Sequence, residues 1–231
     1  MYPEKKKKSI VLSHFRLLSC FLIILAISTA AGQPFSFRKI NSGTKRDIRA
    51  IIQDQQQGIY FLTDKIHLID QDTLKKLDFP VEGNIYTVYA ASSKDIWFTV
   101  NHVTNTCLLY HYHNGIVENV RSPFANQIFT IYFLPGNRAL FAAIGDLAVY
   151  ENGAFTMLPP SPARFYISRI FAKNITSFWM LSKMGELFLY DRGQYKPVLG
   201  GKAVTDFSFT EMQDGYILSE DALYRINTSG V

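Results

Sequence analysis

A repeat of about forty residues constrains this chain more than any motif in it. Read from Trp97, one position recurs as Tyr60, Trp97, Leu140, Trp179 and Tyr216, at intervals of 37, 43, 39 and 37 residues. Nine residues before each anchor stand Ile51, Val88, Ile131, Ile170 and Phe207; twelve before stand Ile48, Ile85, Ile128, Ile167 and Val204. Five self-similar copies of this length, apolar at fixed offsets, are what the blades of a β-propeller leave in a sequence.

Each copy reads as four strands. An apolar first strand, such as Tyr86–Ala90, leads into five turn residues: 54–58, 91–95, 134–138, 173–177 and 210–214. Constant length with changing composition predicts a hairpin of one geometry. The anchor strand follows as GIYFLT, DIWFTV, RALFAA, SFWMLS and DGYILS, rich in the β-branched and aromatic side chains that fill the space between sheets. A third strand then runs to Asn114-Gly115, Asn152-Gly153 or Arg192-Gly193. Asn-Gly between apolar strands is a strong hairpin signal, because both central residues of the tight turn need positive φ. A short, less regular outer strand completes the copy, and no helical period lasts longer than a turn. The predicted fold is all-β, with propeller blades of four antiparallel strands at about 47–82, 83–125, 126–163, 164–200 and 201–231. The fifth copy stops where its outer strand should begin, so an incomplete ring is expected. The alternative is closure, with Phe35–Ile40 supplying the missing strand.

The stretch Ile48 to Asp70, with its apolar strand, Asp54, Gly58 and the strand Ile59-Tyr60-Phe61-Leu62-Thr63, resembles the two-component regulator propeller repeat, and Ser93 to Tyr112 resembles it again. The Gly of that repeat's Trp-x-Gly-Thr strand is missing from every copy. The resemblance covers about 180 residues. It implies the exported sensory portion of a bacterial membrane receptor, followed in such receptors by an immunoglobulin-like domain, a membrane helix and a kinase or DNA-binding output.

Ahead of the repeats, Lys5 to Lys8 precede an apolar run, Leu17 to Ala31, that ends in small residues before Gly32-Gln33-Pro34. Basic, apolar and small-residue segments in this order predict a signal peptide at 1–32. Fifteen residues of helix rise about 22 Å, short of the ~30 Å hydrocarbon core. An uncleaved anchor over 17–31 is the alternative, and membrane tethering would follow from it or from a further C-terminal part. Residues 1–32 hold five of the 24 Lys and Arg and one of the 19 acids, leaving 19 bases against 18 acids. The basic balance therefore belongs to the leader, and no nucleic-acid partner is expected. After the leader Cys107 is the one cysteine, which excludes an internal disulfide. The expected location is the periplasm or another extracytoplasmic, membrane-associated position.

Little in the chain suggests catalysis. No Gly-x-Ser-x-Gly elbow is present, and Asp64, Asp70 and Asp72 lack the Gly and terminal Glu of a calcium loop. His111 and His113 share a strand face and would bind a metal only with a third ligand from elsewhere; the pair reads as part of an exposed strand face. No catalytic residue, metal or cofactor is predicted. Ligand-binding candidates come instead from the loops expected at the channel mouth: His102 and Asn105 in the long loop of the second copy, and Arg121 and Arg164 in loops entering blades. The expected role is sensing or binding of an unidentified ligand, a carbohydrate or another protein, within a larger receptor. The alternative is a cell-surface interaction scaffold, and neither reading is an enzyme.

Overall fold

The computed structural model describes residues 47–70, 73–101, 107–163, 166–212 and 214–226. These form nineteen strands and no helix. The first sheet comprises β1 (Ala50–Gln53), β2 (Ile59–Leu62), β3 (Ile66–Asp70) and β4 (Thr73–Leu77). The second comprises β5 (Asn84–Ser92), β6 (Asp95–Asn101), β7 (Cys107–His113) and β8 (Ile116–Val120). β9 (Thr130–Leu134), β10 (Arg138–Ala142), β11 (Leu147–Glu151) and β12 (Ala154–Met157) make the third. β13 (Ile167–Asn174), β14 (Ser177–Ser182), β15 (Leu187–Asp191) and β16 (Gln194–Val198) make the fourth, and β17 (Val204–Glu211), β18 (Asp214–Ser219) and β19 (Leu223–Ile226) the fifth. Every sheet is an antiparallel meander whose neighbours follow sequence order. Among the described residues these sheets are the blades of a β-propeller whose ring is incomplete. Leu17–Ala31 and Phe35–Ile40 lie outside the described residues, and among those described no helix is long and apolar enough to cross a membrane.

The hairpin chemistry works as the residue types require. Asn114 and Gly115 have φ of 49° and 92°, Asn152 and Gly153 have 54° and 81°, and Arg192 and Gly193 have 47° and 90°. The turns between first and anchor strands are less uniform than the constant spacing predicts. In the second, fourth and fifth sheets the pairs Ser92↔Asp95, Asn174↔Ser177 and Glu211↔Asp214 leave two turn residues. The first sheet keeps all five, residues 54–58. The difference is absorbed by register shifts at Ala90/Ser92, Ala172/Asn174 and Phe209/Glu211, where a bulge adds an unpaired residue and lengthens the first strand.

Successive first strands are tied side by side. Thr130 Oγ1 donates to the Ile167 carbonyl at 2.6 Å, Tyr89 Oη to the Phe129 carbonyl, and Arg49 to the Ile85 carbonyl, while Arg169 pairs with Asp206. The core lies between sheets as four apolar clusters. Tyr60 packs against the second sheet, Trp97 against the third, Leu140 against the fourth and Trp179 against the fifth. Each anchor thus points toward the following blade. The residues nine places earlier, Val88, Ile131, Ile170 and Phe207, point toward the preceding one. Burying such a side chain contributes roughly 1.5–3 kcal/mol.

Only the end blades break this rule. Tyr60, Trp97, Leu140 and Trp179 are 0 to 4% exposed, whereas Tyr216 is 48% exposed. Ile51 and Ile48, which would face a preceding blade, are 71% and 51% exposed. Repeat position alone marks all three as core. Among the described residues no sheet stands against either face.

Candidate functional site

A cavity of about 470 Å³ opens between the second and third sheets. It is built at the end of the strands where the tight hairpins lie. Asp95 begins β6 and is the register partner of His113 on β7; Trp97 is the partner of His111. Register partners in an antiparallel pair share a face, and so do residues two apart. Asp95, Trp97, His111 and His113 therefore project together toward the third sheet, with Glu118 of β8 opposite His111.

The polar groups are held by specific contacts. His111 Nε2 lies 2.8 Å from Asp95 Oδ1, and the two side chains are largely buried. The Trp97 indole covers the His111 ring with centroids 3.9 Å apart and planes 13° apart. From the third sheet Tyr150 meets Trp97 edge-on at 4.9 Å. Its hydroxyl is held above the usual phenol range, first by burial and then by the nearby charges of Glu118 and Asp95. His113 is exposed at the rim, 2.9 Å from Asn114 Nδ2. On the opposite lip Arg138 Nε donates to the Pro135 carbonyl at 2.9 Å and lies 3.9 Å from Glu151 Oε1. Gln55 reaches over from the first sheet and donates to the Phe133 carbonyl at 3.2 Å.

At about 3.3 Å per residue, the seven residues of β6 run about 20 Å from Asp95 at the cavity to Asn101. The ligand-binding candidates His102 and Asn105 follow Asn101 in the sequence. Those two residues and Arg164 lie outside the described residues. Arg121 is described: it follows β8, is exposed and is not among the residues lining the cavity. The view of His111 as part of an exposed strand face needs correcting, because Trp97, Tyr150 and Asp95 enclose it. The His-x-His spacing was the available signal. What it lacked was the third group, Asp95, which lies sixteen residues earlier than His111 and joins it only through the β6–β7 register.

No family model matches the sequence, and no curated protein matches it. Solved structures do resemble it. YCF48 bound to D1 peptide superposes with a TM-score of 0.59 at 15% identity, covering 85% of this chain and 70% of that one. The extracellular domain of BT4673, a hybrid two-component system from B. thetaiotaomicron, gives 0.57 at 17% identity, covering 84% of this chain. This chain spans 28% of that domain's chain. XC5397, a gluconolactonase from Xanthomonas campestris, gives 0.53 at 14% identity over 78% of this chain and 71% of the other. At these identities the likeness is one of fold.

Proposed function

We propose that this chain is an exported β-propeller that binds a small polar ligand as the sensory part of a larger receptor of the two-component kind. The cavity between the second and third blades carries the reading. Its volume falls within the range of small-molecule sites. Aromatic rings back it, and charged groups of both signs stand at its edge on strands braced by the blade interface. Such a site can orient a ligand without moving the scaffold. The basic-apolar-small leader supports export, and the two-component repeat resemblance supports the receptor context, as does the fold shared with the BT4673 extracellular domain. The role is binding, not catalysis.

A panel of mono- and oligosaccharides and short peptides, read by thermal shift and calorimetry, tests this. The expected result is a compound that raises the melting temperature of the native chain and loses affinity on Arg138→Ala or Glu118→Gln. A compound whose affinity neither change affects would place binding elsewhere and overturn the assignment to this cavity.

A second reading, a protein-interaction scaffold, draws on a different observation. Tyr216, Leu218 and Leu223 at one end, and Ile51 and Ile59 at the other, are exposed apolar residues on sheet faces against which no blade packs among the described residues. Apolar faces of this kind mark association surfaces.

A further inference from the structure

Two histidines two apart on a strand and a carboxylate opposite one of them are a common arrangement, and most such groups hold nothing. The three here differ in convergence. The donor atoms of Asp95, His111 and His113 all lie within 4.8 Å of one another. Among the described residues no other group of three His, Cys, Asp or Glu side chains converges in this way. We propose that Asp95, His111 and His113 form a binding site for a divalent transition-metal ion of the zinc class, with its open coordination position directed into the cavity.

The donor set selects the class. Two imidazoles and one carboxylate suit Zn²⁺, Cu²⁺ or Ni²⁺, whereas Ca²⁺ and Mg²⁺ require a cage of oxygens. A tetrahedral ion about 2.0–2.1 Å from each ligand needs donors about 3.3 Å apart. The 2.8 Å contact between His111 Nε2 and Asp95 Oδ1 is thus the hydrogen bond that the ion would replace. Side-chain rotation would have to open this pair by about half an ångström and draw His113 in, since the three donors now lie within 4.8 Å of one another. Two further features prepare the site. The Trp97 indole stacked on His111 holds the plane of that imidazole. Glu118, opposite His111 on β8 and on the wall of the same cavity, adds negative charge favourable to a cation.

Three protein ligands and one free position are the arrangement of an open zinc site, in which the fourth place belongs to water or to a ligand's donor atom. The site shares the cavity assigned above to a polar ligand but does not depend on that reading, since the ion is tested alone.

Isothermal titration of Zn²⁺ into the full chain, purified without a polyhistidine tag, is the test. The expected result is one ion bound per chain, with affinity falling at least about tenfold on His113→Ala and on Asp95→Asn, and no comparable heat with Mg²⁺. Because His113 is exposed, its variant should melt like the native chain. Co²⁺ should develop tetrahedral ligand-field bands in the visible, absent in both variants. No Zn²⁺ binding by the native chain, or binding unchanged in both variants, would overturn the site. A silent ligand panel beside tight, variant-sensitive Zn²⁺ binding would remove the sensory reading and leave the metal site standing.

Discussion

The Trp97 indole and the His111 imidazole lie face to face across β6 and β7, 3.9 Å apart between centroids, because the two residues are register partners. The same indole receives the edges of Phe141 and Tyr150 from the next sheet, at 5.0 and 4.9 Å. One side chain therefore serves a strand pair, a blade interface and the wall of the cavity.

Trp97→Ala should cost about 3–5 kcal/mol through the void left between the second and third blades. Urea unfolding followed by circular dichroism measures it. A loss below about 1 kcal/mol would mean that the indole does not hold that interface.

Tyr216 occupies the anchor position of the fifth blade but faces no sixth sheet among the described residues. Tyr216→Ser should therefore change stability by about 0.5 kcal/mol or less, as at exposed sites. Trp179→Ala, at the equivalent place one blade earlier, should cost about 3–5 kcal/mol. Equal costs at the two positions would show that the face at Tyr216 is covered in solution.

Asp54 is a buried carboxylate that caps its own turn. Oδ1 accepts from the Gln56 and Gly58 amides at 2.8 and 2.7 Å, and Oδ2 accepts from Tyr60 Oη at 2.8 Å. Asp54→Ala leaves three donors without their acceptor and should cost about 1–3 kcal/mol. Asp54→Asn keeps one oxygen for the two amides and should cost less. The residue at 58 is constrained as well: a Cβ there would lie 2.6 Å from Asp54 Oδ2, so Gly58→Ala should destabilise the hairpin. Chemical denaturation of the three variants gives the ranking, and an Asp54→Ala chain as stable as the native one would refute the capping role.

Tyr60, Tyr89 and Tyr195 have phenols pushed well above their ordinary range, first by burial. Hydrogen bonding to Asp54 adds to the rise at Tyr60. The folded state keeps protons that the unfolded chain begins to release near pH 10. The stability contributed by these groups is thus complete below pH 10 and declines as pH rises toward the folded values. Melting temperatures should fall above about pH 10, and the phenolate absorbance of these three tyrosines should appear together with unfolding. Ionisation of all tyrosines near pH 10 in a folded chain would contradict this.

The signal-peptide reading of residues 1–32 makes a prediction of its own. Residues 1–46 fused to a phosphatase that is active only outside the cytoplasm should yield activity in a bacterial host, and replacing Leu22 to Leu25 with charged residues should abolish it. Activity retained after that replacement would refute the export reading.

Much of the fold was legible because a blade is a local object. The aromatic and β-branched run Ile96–Val100, the Asn-Gly pairs and the forty-residue period each report on neighbouring residues, and neighbouring residues form a meander. The two-residue turns of the second, fourth and fifth sheets were less legible, since a bulge such as that at Ala90/Ser92 changes length without changing spacing. The candidate site was half legible: His111 and His113 were visible as a pair, and Asp95 was not visible as their third member.

By itself the sequence determined the strand order within each sheet and the tight hairpins, because these follow from short connections between successive strands and from backbone dihedral preference. The direction in which each anchor points came from blade packing, since the anchor strands are buried on both faces. The tertiary structure decided which apolar positions are covered. Among the described residues Trp179 is buried and Tyr216 exposed for one reason, the presence of a sheet opposite the first and of none opposite the second. It also decided that Asp95 meets the two histidines. That meeting depends on the hydrogen-bonded register between β6 and β7, which brings together residues sixteen apart and leaves no periodic trace in the chain.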